Sequence, residues 1–300
     1  MSLRERLSKP QPLILDGALG TLLPDISQSH PLWSTHTVLT SPSTIKSIHE
    51  SYIKNGAQLI QTSTYQTSER GLNDSEFDVS FSDALKRSID LAYEAKGGRD
   101  DVWLVGSVGP YGASLANGAE YTGDYGDISD EGLINFHTER ISVLCNDNRV
   151  DIIGLETMPN KRELRILLEL MDSYDKDYYL SLSVNGEKLA DGTTIEELLG
   201  LISKGKRLIA VGVNCLSLQS SLEWLKRLKE SEKMLIVYPN SGEMYDGINK
   251  KWIENPNGSM SWKDYVQKLK AIGNVKIIGG CCRTTPNDIK QISDLVSELW

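Results

Sequence analysis

Three of the four cysteines stand where short apolar runs end. Cys215 follows Leu208-Ile209-Ala210-Val211-Gly212-Val213-Asn214, and the vicinal pair Cys281-Cys282 follows Ile277-Ile278-Gly279-Gly280. Thiolates are soft ligands, and three protein ligands around one ion leave a fourth position open, the arrangement that distinguishes catalytic from structural zinc. The pattern therefore reads as a Zn2+ site built from Cys215, Cys281 and Cys282. A redox couple of the adjacent pair is the competing reading. It is disfavoured because a disulfide between neighbours is strained and the two-residue spacer of thioredoxin-like motifs is missing. Cys145, beside Val143 and Leu144 in a helical stretch, reads as core filler.

Two carboxylates occupy similar positions: Asp16 and Glu156 each close an apolar run. Paired acids in a barrel could hydrolyse a glycoside, but that reading leaves the thiols without a role. Glu156 has a bland alternative as the cap of the helix that follows it. The histidines His30, His36, His49 and His137 fall in loops or helices away from strand ends. They read as surface or packing residues, with neither a Ser-His-Asp triad nor a His-rich metal cluster expected.

The elements that would position these groups alternate. Strands are expected at 13–16, 58–62, 102–107, 152–155, 178–184, 208–214, 235–238 and 276–279. Helical periodicity follows each, near 43–54, 82–96, 130–146, 161–171, 194–203, 218–230, 262–272 and 286–298. Near-continuous apolar strands are those of a parallel sheet buried on both faces. Eight βα units without a linker, low-complexity run or internal repeat predict an α/β fold, a (β/α)8 (TIM) barrel, as one domain spanning 1–300. A doubly wound sheet is the runner-up. The long connections 16–42 and 109–129 both follow strands, which in a barrel places them on the C-terminal face where active sites are built.

Composition bounds the partners. A net charge of −9 argues against nucleic acid, which requires clustered cations, and is more tolerant of a cationic substrate. Residues 1–11 lack the apolar core of a signal peptide, and no stretch approaches the length of a membrane span, so a cytoplasmic protein without membrane contact is expected. The sequons at Asn73 and Asn257 would matter only in a secreted chain.

The strand-end motifs Val213-Asn214-Cys215 and Gly279-Gly280-Cys281-Cys282-Arg283-Thr284-Thr285-Pro286 resemble those of the homocysteine S-methyltransferases. The resemblance continues in Asp16-Gly17-Ala18-Leu19-Gly20-Thr21, Gln61-Thr62-Ser63-Thr64-Tyr65-Gln66 and Glu156-Thr157-Met158-Pro159, so it covers nearly the whole chain. Gly106-Ser107-Val108-Gly109-Pro110-Tyr111-Gly112 and Tyr238-Pro239-Asn240-Ser241-Gly242-Glu243 are similar to the branch that uses S-methylmethionine. The resemblance implies a zinc barrel in which homocysteine sulfur takes the open position and Asp16, Gly17, Thr64 and Glu156 surround homocysteine. Two small-molecule substrates follow, homocysteine and a sulfonium donor, with S-adenosylmethionine as a further donor. A betaine-using enzyme and a non-catalytic zinc barrel are the alternatives. Segment 109–129 combines glycines with Tyr111, Tyr121, Tyr125, Glu120 and Asp124. Aromatic faces and carboxylates attract cations, so this segment is expected to cover the donor as a lid, through Tyr111, Tyr121, Asp124 and Tyr125. A thiol on zinc loses its proton outright, so no general base is expected during transfer.

Overall fold

The computed structural model describes residues 1–23, 30–241, 244–246, 251–253 and 260–300. Its sheet has eight parallel strands: β1 Leu13–Ile14, β2 Leu59–Gln61, β3 Trp103–Val108, β4 Ile152–Met158, β5 Tyr178–Leu182, β6 Leu208–Asn214, β7 Met234–Tyr238 and β8 Val275–Ile278. Each strand pairs with its neighbours in the chain, and β8 returns to pair with β1. A parallel bridge between Leu15 and Leu59 joins β1 to β2, supported by Asp16 N–H donating to Leu59 O at 3.0 Å and Gln58 N–H to Ile14 O at 2.7 Å. The sheet thus closes into a single-domain barrel, which removes the doubly wound alternative.

Alternation along each strand sorts its side chains into two shells. Leu13, Leu59, Trp103, Val105, Ile152, Tyr179, Ala210, Ile236, Tyr238 and Ile277 fill the interior, joined by Leu3 and Leu7 of a short helix, Leu3–Leu7. Ile14, Ile60, Leu104, Ile153, Leu180, Val211, Leu235 and Ile278 point outward into the helical layer. That layer is α1 Pro42–Lys54, α2 Phe81–Lys96, α3 Asp130–Asn146, α4 Lys161–Met171, α5 Ile195–Ile202, α6 Leu218–Leu228, α7 Trp262–Ile272 and α8 Pro286–Leu299. Ser129 and Thr194 cap their helices as the sequence suggests, each side chain accepting a first-turn amide, while Thr285 caps through Asp288, whose Oδ2 accepts from the Thr285 N–H at 2.8 Å and hydroxyl at 2.7 Å.

Three strand ends depart from expectation, the first being β1, which stops at Ile14 rather than 16. β4 runs three residues past 155 to Met158, with a register shift against β5 between Leu155 and Met158. β5 stops at Leu182, because Val184–Asn185 turns into a small antiparallel hairpin with Lys188–Leu189. A second hairpin pairs Met244–Asp246 with Lys251–Ile253. Within segment 109–129 the chain forms a helical turn, Tyr111–Ser114, and a 3-10 turn, Ala119–Tyr121.

Candidate functional site: a three-thiol centre at the barrel mouth

The chain turns sharply at the end of β6, where Cys215 has φ 57°. After β8, the Gly279-Gly280-Cys281-Cys282 turn is locked to the β1 loop. Gly280 N–H donates to Asp16 O at 3.2 Å, Arg283 N–H to Thr21 Oγ1 at 3.0 Å, and Thr284 Oγ1 to Cys281 O at 2.6 Å. A Cβ on Gly280 would meet Thr284 side-chain atoms at 2.5 Å, so only glycine allows this packing. These constraints bring the sulfurs of Cys215, Cys281 and Cys282 within 4.8 Å of one another, close enough to hold one metal ion. Cys281 and Cys282 sulfurs stand 4.0 Å apart, near the roughly 3.8 Å separation that tetrahedral zinc–thiolate geometry requires. The sulfurs of Cys215 and Cys281 are in contact, with the Cα atoms 5.5 Å apart. Burial pushes the Cys282 thiol up to about 11. Cys145 is buried among the outer-shell residues and stands apart from the cluster.

Asn214 ties this centre to the end of β4. Its Oδ1 accepts from Thr157 N–H at 3.1 Å and Ser181 Oγ at 2.8 Å, while Nδ2 faces Thr157 Oγ1 at 2.8 Å and Cys215 Sγ at 3.4 Å. Thr157 needs that support. Its φ of 56° is a strained conformation for a β-branched residue. The kink separates Glu156 from Met158 and accounts for the register shift.

Asp16 and Glu156 are buried and belong to one hydrogen-bonded relay. Gln61 N–H donates to Asp16 Oδ2 at 3.1 Å, Gln61 Nε2 to the Tyr179 hydroxyl at 3.2 Å, and that hydroxyl to Glu156 Oε1 at 3.5 Å. Burial is the first cause raising both carboxyls, Glu156 to about 7 and Asp16 well above its ordinary range; Asp16 is raised further by the charge of Glu156. Asp16 Oδ1 is shielded and has no hydrogen-bond partner. A buried acceptor left unmatched is costly, so this oxygen is suited to a ligand donor. Glu156 is not a helix cap: Asn160 Oδ1 accepts the first-turn amides of Arg162 and Glu163. Gly17 lies where a Cβ would come within 2.8 Å of the Tyr52 ring. The Thr64 hydroxyl is buried and engaged with Ser107 O and Thr62 Oγ1, both at 2.7 Å, so it braces β2 against β3.

Segment 109–129 is a docked wall. A Cβ on Gly112 would lie 2.7 Å from Glu120 N, so this glycine serves close approach to the Ala119–Tyr121 turn. Tyr125 is buried and its hydroxyl donates to Glu163 Oε2 at 2.5 Å; Tyr111 stacks edge-on to Tyr125 and Phe136, and its N–H donates to Glu163 Oε1 at 2.6 Å. Behind them, buried Arg140 donates to Gly109 O and Thr67 O, bridging the loops after β3 and β2. Asp124 is exposed and its carboxylate accepts from Gly126 N–H at 3.1 Å. Tyr121 is 49% exposed. Glu120, by contrast, has a shielded Oε2 without a hydrogen-bond partner and a carboxyl raised by burial.

Two histidines, His49 and His137, are fully buried. His137 Nε2 lies 2.8 Å from Glu163 Oε1, an acceptor, so that nitrogen carries the proton. A second cluster of ligand-type residues, His30, His36 and Glu76, lies off the strand ends. Leu32 N–H donates to His30 Nδ1 at 3.1 Å, which leaves the ring proton on Nε2, the nitrogen facing Glu76. At 3.8 Å that nitrogen is beyond hydrogen-bond reach of the Glu76 carboxylate, and the three side chains stand close enough to hold a metal ion.

Thiols gathered at the C-terminal end of a barrel, beside acids that water does not reach, define a barrel enzyme suited to chemistry at sulfur. Comparison with known proteins gives the family. The model for the homocysteine S-methyltransferases matches residues 13–296, and the chain belongs to that family of methyltransferases. It is 37% identical to the homocysteine S-methyltransferase of Escherichia coli strain K12, over 96% of each chain. The solved E. coli homocysteine methyltransferase MmuM superposes with a TM-score of 0.84 in its metallated form, at 32% identity over 97% of this chain and 99% of that one. The oxidized form of MmuM gives 0.83 at 31% identity, over 97% and 98%. Among the described residues no helix is long and apolar enough to cross a membrane.

Proposed function

We propose that the chain transfers a methyl group from S-methylmethionine to the thiol of homocysteine, forming methionine, with Zn2+ held by Cys215, Cys281 and Cys282. The observation that carries this is the convergence of three cysteine sulfurs within 4.8 Å. When bound, zinc would hold the homocysteine sulfur as a thiolate at neutral pH, where a free thiol is mostly protonated. The metal-competent form has Cys215 and Cys281 reduced.

The chain's own residues supply position and charge. Asn214 Nδ2 sits where it can donate to cysteine sulfur, and such outer contacts orient ligands and tune a metal site. Asp16 and Glu156 receive the homocysteine ammonium, with Asp16 Oδ1 as the oxygen in need of a donor. As the C–S bond forms, the electron pair of the donor's breaking C–S+ bond returns to its sulfur, which leaves as a neutral thioether. Positive and negative charge are both consumed, so a water-poor mouth favours the transition state, and no base has to move a proton.

The donor rests on Gly106–Gly112 and on Tyr238–Glu243, of which Gly242 and Glu243 lie outside the described residues. Methionine formation from S-methylmethionine, S-adenosylmethionine, betaine and methyltetrahydrofolate at equal concentration tests it. S-methylmethionine is expected to lead, and Cys215→Ser is expected to lose metal and activity together. A betaine preference overturns the donor, and zinc binding without product from any donor overturns the enzyme reading.

A further inference from the structure

We propose that Glu120 is the carboxylate that reads the sulfonium charge of the methyl donor. The inference rests on the sulfonium reading above and deepens it. Residues in the 109–129 segment divide cleanly by environment. Asp124, the acid that loop composition favours, is exposed and turned onto its own loop. Glu120 sits on the Ala119–Tyr121 turn, which Gly112 allows to pack tightly and which lies against β4, the strand that carries Glu156 and Thr157.

Its Oε2 is shielded from solvent and bonded to nothing. A carboxylate oxygen in that state is stabilised by a cation or a donor brought to it. The surroundings decide which. The turn that carries it packs against β4, the loop just beyond it is held at the end of that strand by Asn160 Nδ2 donating to Gly123 O at 3.0 Å, and Thr157 of β4 is joined through Asn214 to Cys215. The site is therefore a shielded carboxylate on a turn packed against β4, the strand that supplies Glu156 to the relay and is tied through Asn214 to Cys215. A methyl–sulfonium presented in line to the homocysteine thiolate must enter at the strand ends, against which the Glu120 turn packs.

A fixed negative charge attracts the donor most strongly before transfer, while the sulfonium is whole, and less as the positive charge disappears. Glu120 thus contributes to donor binding more than to the chemical step, which sets apart its kinetic signature. In the zinc-loaded full chain, Glu120→Gln is expected to raise the KM for S-methylmethionine by at least about tenfold. The same variant should keep kcat within about twofold of the parent or above it. Homocysteine KM and zinc content should not change, and Glu120→Asp should recover part of the loss. Dimethylsulfonioacetate, a sulfonium without an ammonium group, should show the same rise in KM.

An unchanged donor KM overturns the proposal, and so does a fall in kcat at constant KM. A rise confined to S-methylmethionine also overturns it, because Glu120 would then read the ammonium. Should the parent protein use no sulfonium, the donor reading falls by itself. Calorimetric binding of tetramethylammonium to parent and Glu120→Gln then decides whether Glu120 forms a cation site: weaker binding in the variant supports it, and equal binding refutes it.

Discussion

Glu156 is raised by burial to about 7, and that sets the sign of two pH effects. Its folded value lies above its ordinary one, so in the ligand-free protein it contributes stability that is complete below about 4.5 and is lost as pH rises through about 7. Ligand binding runs the other way, because an ammonium group prefers the ionised carboxylate. Homocysteine KM is expected to rise as pH falls through about 7, and Glu156→Gln to flatten that dependence while raising KM at high pH. Asp16→Asn should weaken homocysteine far more than zinc. Steady-state KM across pH in parent and variants checks this; unchanged homocysteine affinity in both variants refutes the role. At this scale the sequence exposes groups that stand at strand ends, which is why Asp16, Glu156 and the three cysteines are legible in it. Asn214 and Glu120 are not. An amide shows its role only through its partners, and nothing in the loop's composition separates shielded Glu120 from exposed Asp124.

The strands and helices are legible because buried parallel strands are apolar throughout and the helices carry one apolar face. Only the ends escape, where Glu156 and Thr157 look polar although β4 continues through them, and where Val184 leaves the sheet for a hairpin. The wall formed by 109–129 is less legible, since loops have no period and the buried tyrosines resemble exposed ones. Its anchor is Glu163 in the first turn of α4, a place where an acid ordinarily faces solvent and favours the helix dipole. Here it is fully buried and accepts from Tyr111 N–H, Tyr125 Oη–H and His137. Beside it, burial lowers Arg140 to about 10. Removing one member of such a buried charged network is costly, about 3 to 5 kcal/mol. Glu163→Leu should lose stability on that order in denaturant unfolding and raise the donor KM more than the homocysteine KM. A loss within the range of an ordinary surface change, about 0.5 kcal/mol, would show that the wall does not depend on Glu163.

At the scale of the whole molecule, the barrel converts distance in sequence into proximity. β6 and β8 are 66 residues apart at Cys215 and Cys281, yet their ends meet because both pair with β7 in the closed sheet. The same closure places Asp16 beside the Cys281 turn and Glu156 across from it. Strand order alone predicts that meeting, whereas the packing that fixes it, through Gly280, Thr284 and Asn214, appears only in three dimensions. The central claim is that these strand ends form one metal centre with room for the substrate's sulfur. X-ray absorption at the zinc edge of the reduced, zinc-loaded protein measures this directly. Three sulfurs and one lighter atom are predicted before homocysteine is added and four sulfurs after it; a sulfur count that is not three at the start, or that homocysteine leaves unchanged, would contradict the account.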